Sequence, residues 1–186
     1  AVSLATLTFA AFGGNNAFDT GTDVITITGA GLAENITGSS IADTITGGAA
    51  ADVLAGGAGN DIFLFNTGDV GALETIAGDA GTDTISVLTS TDFSTLTTAT
   101  ILTAGAVEQI LITSGQTATF TGAQLTGATI AVNATADTAT TLVINVASGA
   151  TASFSGLTFG AFGTNDAFTS GTDIITITGA GGAENI

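Results

Sequence analysis

Residues 29–64 consist of four consecutive nine-residue units, GAGLAENIT, GSSIADTIT, GGAAADVLA and GGAGNDIFL. Each unit opens with glycine, carries an acidic residue at its sixth position, and has an aliphatic residue or phenylalanine at its eighth. A fixed short period of this kind is the signature of repeat architectures, in which each unit packs against its neighbours. The repeat therefore decides the fold, which must stack similar units on one another.

Looser copies of the unit occur outside that stretch. GDAGTDTIS spans residues 78–86, FDTGTDVIT spans residues 18–26, and FTSGTDIIT spans residues 168–176. We therefore expect residues 18–86 to form one segment built on the nonapeptide. Residues 87–150 lack the glycine turn and are rich in Thr and Ala, so we expect them to form a second segment.

A second repeat is much longer. Residues 7–36 and 157–186 are identical at 23 of 30 positions, with an offset of 150 residues. We therefore expect residues 1–150 to form one repeat unit and residues 151–186 to begin the next one, as a copy of residues 1–36. We expect the chain to be a window on a longer tandem array.

The composition excludes several classes of function. The 186 residues include 16 Asp and Glu but no Lys, Arg, His, Cys, Tyr or Trp, so the formal net charge is −16. Nucleic-acid binding through phosphates needs Lys and Arg, so we expect no such partner. Disulfides, Cys or His metal sites, and Ser–His or Lys-based catalysis are excluded too. No apolar run is long enough to span a membrane, so we expect no membrane insertion.

The charge itself needs an explanation. Apolar residues make up 45% of the chain, which is too many for a disordered acidic tail. A compact polyanion without counter-charge repels itself. Bound divalent cations are the simplest remedy.

The nonapeptides resemble the RTX (repeats-in-toxin, haemolysin-type) calcium-binding repeat GGxGxDxUx, in which U is a bulky apolar residue. Residues 56–64 match it most closely, residues 47–55 match it well, and residues 38–46 match it more loosely. The resemblance implies an all-β fold, a parallel β-solenoid in which two nonapeptides form one coil of a β-roll. It also implies that the first six residues of a unit turn around Ca²⁺. The last three then form a strand whose central side chain enters the core.

The resemblance also implies a set of calcium ligands. Sixth-position carboxylates and turn carbonyls would supply oxygens to several Ca²⁺ ions per 150-residue unit. Alternate units share an edge, so we expect Asp43 to pair with Asp61, and Glu34 to pair with Asp52. Two further acids, one on each side, are expected to extend the first edge. The expected ligands are Asp23, Glu34, Asp43, Asp52, Asp61, Asp79, Asp83 and Asp173.

An alternative is open at each of these positions, because Asp often serves only to satisfy the amides of a turn. Other acids, among them Asp69, Asp92 and Glu108, are expected to be solvated loop charges.

Strands are predicted beyond the nonapeptides from residues that alternate between polar and apolar. We expect one solenoid, an RTX-like β-roll that continues without calcium into a Thr/Ala-rich β-helix. The alternative is a separate β-sandwich. A helical turn is expected within residues 91–106. The predicted strands are residues 85–88, 109–113, 117–121, 129–133 and 141–146.

The expected function is structural. We expect a calcium-stabilised repeat of a long extracellular bacterial filament, adhesin stalk or S-layer, without catalysis. The resemblance implies type I secretion from a Gram-negative bacterium. The expected partner is the chain itself, through head-to-tail stacking and fibre bundling, with O-glycans on Ser or Thr as a further expectation. One alternative is a passive RTX region of a larger secreted toxin or enzyme. Another is a calcium-dependent ice-binding or carbohydrate-binding solenoid, for which aligned Thr rows would argue.

Overall fold

A computed structural model describes residues 1–3, 23–96, 107–136, 139–159 and 172–183. These residues form fifteen strands, and every strand pairing is parallel. None of the described helices approaches the length and hydropathy that a membrane span requires. The strands are β1 (Val2–Ser3), β2 (Ile25–Thr28), β3 (Asn35–Thr37), β4 (Asp43–Thr46), β5 (Val53–Ala58), β6 (Ile62–Phe65), β7 (Thr75–Ala80), β8 (Thr84–Val87), β9 (Thr91–Asp92), β10 (Gln109–Ile112), β11 (Thr117–Thr121), β12 (Ile130–Ala134), β13 (Thr141–Val146), β14 (Leu157–Phe159) and β15 (Ile174–Gly179).

Successive strands alternate between two faces. The even-numbered strands β2 to β14 stack into one seven-stranded sheet, which we call the even face. The odd-numbered strands form two four-stranded sheets, β1-β3-β5-β7 and β9-β11-β13-β15, which we call the odd face. Consecutive strands never pair with each other, so the chain winds from face to face. The predicted all-β parallel β-solenoid is confirmed.

The coils lengthen along the chain. Partners on the even face are 18 residues apart within the nonapeptides, where Thr26 pairs with Thr44 and Thr44 with Ile62. The separation grows to 22 residues at Thr84 and to 25 at Gln109. The seven-stranded sheet nevertheless continues without a break into the Thr/Ala-rich segment. The alternative of a separate β-sandwich is therefore wrong, because the two segments share one parallel sheet.

Eighth-position side chains form the narrow part of the core, as the repeat predicts. The five from the four central units and from residues 78–86 are all at most 2% exposed. In β4 and β6 they alternate with more exposed neighbours as a period of two requires, whereas all four residues of β8 are buried. They are Ile36, Ile45, Leu54, Phe63 and Ile85.

Aromatic rings fill the core where the coils are longer. Phe65, Phe93 and Phe120 are each at most 1% exposed. The Phe65 and Phe93 rings meet edge to face with centroids 5.2 Å apart, and the Phe93 and Phe120 rings stack at 4.8 Å. Both arrangements are favourable for aromatic pairs. A wider cross-section needs larger side chains, and these rings supply them.

Two short helical turns interrupt the strands. A 3-10 turn, Phe93–Thr95, lies within the predicted helical stretch, and residues 97–106 of that stretch lie outside the described residues. A single α-helical turn, α1 (Gly122–Leu125), was not predicted; its capping box joins Thr121 and Gln124. The Gln124 side chain also donates to the Phe93 carbonyl at 2.8 Å. This bond ties α1 to the coil that provides the central ring of the stack.

The 150-residue repeat changes face. β15 is the copy of β2, yet β2 lies on the even face and β15 on the odd face. β15 pairs with β13 over six residues. Residues 4–22 and 160–171, which hold most of the remaining repeated segment, lie outside the described residues. The described parts of the two copies therefore lie in different sheets.

The aromatic stack yields a stability prediction. We expect Phe93→Ala to lower the free energy of unfolding in saturating calcium by about 3–5 kcal/mol, because it leaves a cavity between two buried rings. Phe159→Ala is the control, because Phe159 is 39% exposed and should contribute less than half as much. Urea unfolding followed by far-UV circular dichroism measures both. Equal losses in the two variants would contradict a core centred on Phe93.

Candidate metal centre

Carboxylates line both edges of the solenoid, where each turn meets the following strand. The row at the start of the even-face strands comprises Asp43, Asp61, Asp83 and Glu108, and we call it the even-edge ladder. The row at the start of the odd-face strands comprises Glu34, Asp52 and Glu74, and we call it the odd-edge ladder.

From its second member onward, each carboxylate of the even-edge ladder accepts a main-chain hydrogen bond from the coil before it. The first member, Asp43, accepts from the N–H and the hydroxyl of Ser39 in its own turn. The Asp43 N–H donates to Asp61 Oδ1 at 2.7 Å, and the Asp61 N–H donates to Asp83 Oδ1 at 2.8 Å. The Asp83 N–H donates to Glu108 Oε2 at 2.9 Å. Because the donor and the acceptor belong to adjacent coils, the carboxylates stack at about the spacing of parallel strands, roughly 4.8 Å.

The odd-edge ladder repeats the pattern. The Glu34 N–H donates to Asp52 Oδ1 at 2.8 Å, and the Asp52 N–H donates to Glu74 Oε2 at 3.2 Å. The 18-residue spacing predicted both nonapeptide pairs, Asp43 with Asp61 and Glu34 with Asp52. The structure brings each pair together on its own edge.

These carboxylates are buried without any cationic side chain. Five of them are 0% exposed, and the chain has no Lys, Arg or His to neutralise them. An isolated ionised carboxylate away from water is strongly unfavourable. The five are Asp43, Asp52, Asp61, Glu74 and Asp83.

Six of the seven ladder carboxylates also leave one buried oxygen each without a hydrogen-bond partner. Buried polar atoms are almost always satisfied, so a regular series of unsatisfied oxygens indicates a missing ligand. Because the series follows both ladders, it marks a repeated site rather than a local defect. The atoms are Glu34 Oε2, Asp43 Oδ1, Asp52 Oδ2, Asp61 Oδ2, Glu74 Oε1 and Asp83 Oδ2.

The first glycine of a unit leaves space beside its own carboxylate. A Cβ added to Gly56 would lie closer than 3.0 Å to both Asp61 Oδ2 and the Gly78 carbonyl oxygen. A Cβ on Gly38 would likewise meet the Gly56 carbonyl and the carboxylate of its own unit. Glycine is therefore required because carboxylate and carbonyl oxygens of adjacent coils converge there.

Burial is the largest cause of the raised pKa values of the ladder carboxylates. Desolvation raises the pKa of Asp61 to about 7 and that of Glu74 to about 7, against lowering by main-chain hydrogen bonds. Like-charge repulsion from neighbouring carboxylates, which for Glu74 include Asp69, contributes to both raised pKa values. Desolvation also raises the pKa of Asp43, Asp52 and Asp83. The ionised ladder therefore needs a cation.

The donor set fits a hard divalent cation. It contains only carboxylate and carbonyl oxygens, and Ca²⁺ takes six to eight such ligands. No group of three or more acidic, His or Cys side chains converges in the described parts of the chain. An ion between two stacked carboxylates would therefore take its remaining ligands from main-chain carbonyls and water.

The other predicted ligands are placed differently. Asp23 lies two residues before Ile25, and Ile25 is the residue in register with Asp43. Asp173 lies directly before β15 and accepts the Thr140 N–H at 3.0 Å. Asp79 is exposed at the end of β7, with a φ of 70°. Ligation by these three stays a prediction.

Glu34 departs from the aspartate pattern without leaving the site. A Cβ on Gly29 would lie 3.0 Å from Glu34 Oε2 and closer still to the Gly47 carbonyl oxygen. The longer side chain therefore reaches the same space that an aspartate oxygen occupies beside Gly38 and Gly56.

Two ladder members were missed by the sequence interpretation. Glu108, expected to be a solvated loop charge, is half-buried and accepts the Asp83 N–H. Glu74 was not singled out at all, because its coil lacks the glycine turn. A weaker signal was present: each has a buried Ile two residues later, as sixth-position acids do. In contrast, Asp69 and Asp92 do act locally, since they accept main-chain N–H groups of their own turns.

The raised pKa values predict how the metal-free fold depends on pH. The folded pKa values of Asp61 and Glu74 lie above their unfolded values, so their stabilising contribution is complete below about pH 4. It is lost as the pH rises through about 7. We expect the unfolding midpoint in EGTA to rise by on the order of ten degrees from pH 8 to pH 5.

Thermal unfolding followed by circular dichroism measures this dependence, and calcium-saturated chain is the comparison. There the dependence should reverse, because an ion needs ionised carboxylates. A metal-free midpoint that is higher at pH 8 than at pH 5 would refute the prediction.

The close approach of oxygen atoms to the first glycine of each unit yields a separate prediction. We expect Gly56→Ala to weaken calcium binding at least tenfold, because its Cβ would displace Asp61 Oδ2 and the Gly78 carbonyl. Gly115→Ala is the control: Gly115 has a φ of 77° and no atom within 4 Å of an added Cβ, so only backbone strain is introduced. Calorimetric calcium titration separates the two. Unchanged affinity in a folded Gly56→Ala chain would argue against the site.

Comparisons with known proteins agree with this geometry. Residues 28–69 match the family model of the RTX calcium-binding nonapeptide repeat, in four copies. A search of curated proteins and a search of solved structures each found no match. RTX repeats bind calcium and are typical of secreted extracellular bacterial proteins. Residues 28–69 are therefore RTX calcium-binding repeats, and they form part of a parallel β-solenoid.

Proposed function

We propose that the chain is a calcium-stabilised segment of a long extracellular bacterial filament, adhesin stalk or S-layer, and that it performs no catalysis. The observation that supports this most is the pair of buried carboxylate ladders in a chain without a cationic side chain. Calcium would neutralise both edges and hold adjacent coils at a fixed spacing. Such a segment acts as a spacer whose stiffness depends on the ion.

The location follows from the ion. Extracellular calcium modules typically bind at about 10⁻⁴ to 10⁻³ M, so their sites fill outside the cell and not in the cytosol. In the metal-free state at neutral pH the ladders repel themselves, and this opposes folding. Export in an unfolded state by type I secretion, from a Gram-negative bacterium, would then be followed by folding in external calcium.

Head-to-tail stacking of repeat units is the proposed partner interaction. The 150-residue repeat supports it. So does β15, which belongs to the second copy and pairs in parallel with β13 of the first. Every further unit could extend both faces in the same way. Lateral bundling of such fibres and O-glycans on outward Ser or Thr remain parts of the proposal. Nucleic-acid binding and membrane insertion form no part of it.

The threonine rows do not favour ice binding. Ice-binding faces need regular rows of Thr, but the outward row on the even face reads Thr26, Thr44, Ile62, Thr84, Gln109. On the odd face Thr119 lies between Asp92 and Val143. The rows in the described residues are therefore interrupted after two Thr at most. We accordingly favour the structural proposal.

Calcium removal and return test the proposal on the full 186-residue chain. We expect EGTA to lower the thermal unfolding midpoint at pH 7.5 so far that most of the β-sheet circular dichroism signal is lost at 37 °C, and millimolar calcium to restore it. Asp61→Asn should raise the calcium concentration needed for folding at least tenfold, because Asp61 lies between two other ladder carboxylates. Asp92→Asn is the matched control, with the same charge change in a local turn outside both ladders.

Two results would contradict the proposal. One is a β signal that ignores EGTA in a sample shown by metal analysis to contain no calcium. The other is an equal response of the two Asn variants to calcium.

A further inference from the structure

Glu74 occupies a place that the nonapeptide repeat does not explain. It lies beyond residues 28–69, in a coil of 22 residues whose turn lacks the GGxGxD sequence. Its side chain is nevertheless 0% exposed, at the end of the odd-edge ladder. An ionised glutamate buried without a compensating partner is strongly unfavourable, so Glu74 needs a specific partner at this position.

One oxygen of Glu74 is satisfied and the other is not. Oε2 accepts the Asp52 N–H at 3.2 Å and the Gly71 N–H at 3.4 Å. Oε1 is buried and has no hydrogen-bond partner. On the adjacent coil Asp52 shows the same division, because Oδ1 accepts the Glu34 N–H while Oδ2 has none. The two unsatisfied carboxylate oxygens therefore belong to adjacent coils, whose strands are about 4.8 Å apart.

The neighbouring main chain is packed closely. A Cβ added to Gly71 would lie 2.6 Å from the Ala50 carbonyl oxygen and 2.6 Å from the Ala51 Cα. Because residue 71 is a glycine, the longer turn packs closely against the preceding coil, beside the two carboxylates. Hard oxygen donors, both carboxylate and carbonyl, are concentrated at this point.

We propose that Asp52 and Glu74 bind a divalent cation, with Ca²⁺ as the fitting ion, at a site outside the family-matched repeats. Because a glutamate has one more methylene than an aspartate, it can reach the ion from a turn that lacks the short glycine geometry. The site would join the last nonapeptide coil to the first longer coil. It rests on the proposed function, since it assumes that the ladders bind calcium.

Glu74→Gln separates this proposal from a purely structural role. The Gln oxygen can still accept the Asp52 and Gly71 N–H groups, and its NH₂ group can donate to Asp52 Oδ2. We therefore expect the metal-free chain to be as stable as wild type or more stable. The calcium-loaded chain should bind one Ca²⁺ fewer and gain less in its unfolding midpoint on calcium addition. A structural role alone predicts unchanged stoichiometry and an unchanged calcium gain.

Equilibrium dialysis with metal analysis of the full chain gives the stoichiometry, and thermal unfolding with and without calcium gives the gain. Asp92→Asn is the matched control, because it also removes one negative charge but lies in the local turn before a 3-10 helix, outside both ladders. Glu74→Asp is the second variant and keeps the charge on a shorter arm. It should retain the ion with at least tenfold lower affinity, which remains measurable if Glu74→Gln does not fold.

The outcomes are distinguishable from those of the proposed function. If the wild-type chain binds no calcium, both proposals fail. If the wild type binds calcium and Glu74→Gln binds the same number of ions, only the Asp52–Glu74 site is overturned. If Glu74→Gln does not fold and Glu74→Asp binds with wild-type stoichiometry and affinity, the site is also overturned.

Discussion

The burial of negative charge without an internal counter-charge is the constraint on which this solenoid depends. Five carboxylates are fully buried in a chain that contains no Lys, Arg or His. Such groups can be kept only by protonation, which their raised pKa values favour in the absence of metal, or by an external cation. Protonation would satisfy the charge but leave the orphan oxygens without ligands. A divalent cation satisfies both, so the fold and its ion are two aspects of one interaction.

The ladders fix register as well as charge. From the second member of each ladder onward, the carboxylate accepts the N–H of the equivalent residue one coil earlier. Slipping by a single residue would therefore break the series along a whole edge. In the described residues, Asp83 is the last fully buried carboxylate of the ladders, and the next coil is 25 residues long. From there the packed rings of Phe65, Phe93 and Phe120 fill the core. Stabilisation therefore passes from ions at the edges to aromatic packing in the centre, while the even face continues unbroken.

The sequence predicted the parts that obey a period, because a period reports a repeated environment. The predicted strand at residues 117–121 matches β11 and that at residues 141–146 matches β13, and the eighth-position residues are buried as expected. Departures from the period hid the rest. Glu74 and Glu108 follow turns of other lengths. The helical turn α1 was not predicted, and its Gln124 side chain bonds to the Phe93 carbonyl across 31 residues of the chain. Asp23 has the expected motif but sits two residues out of register, which only the strand pairing reveals.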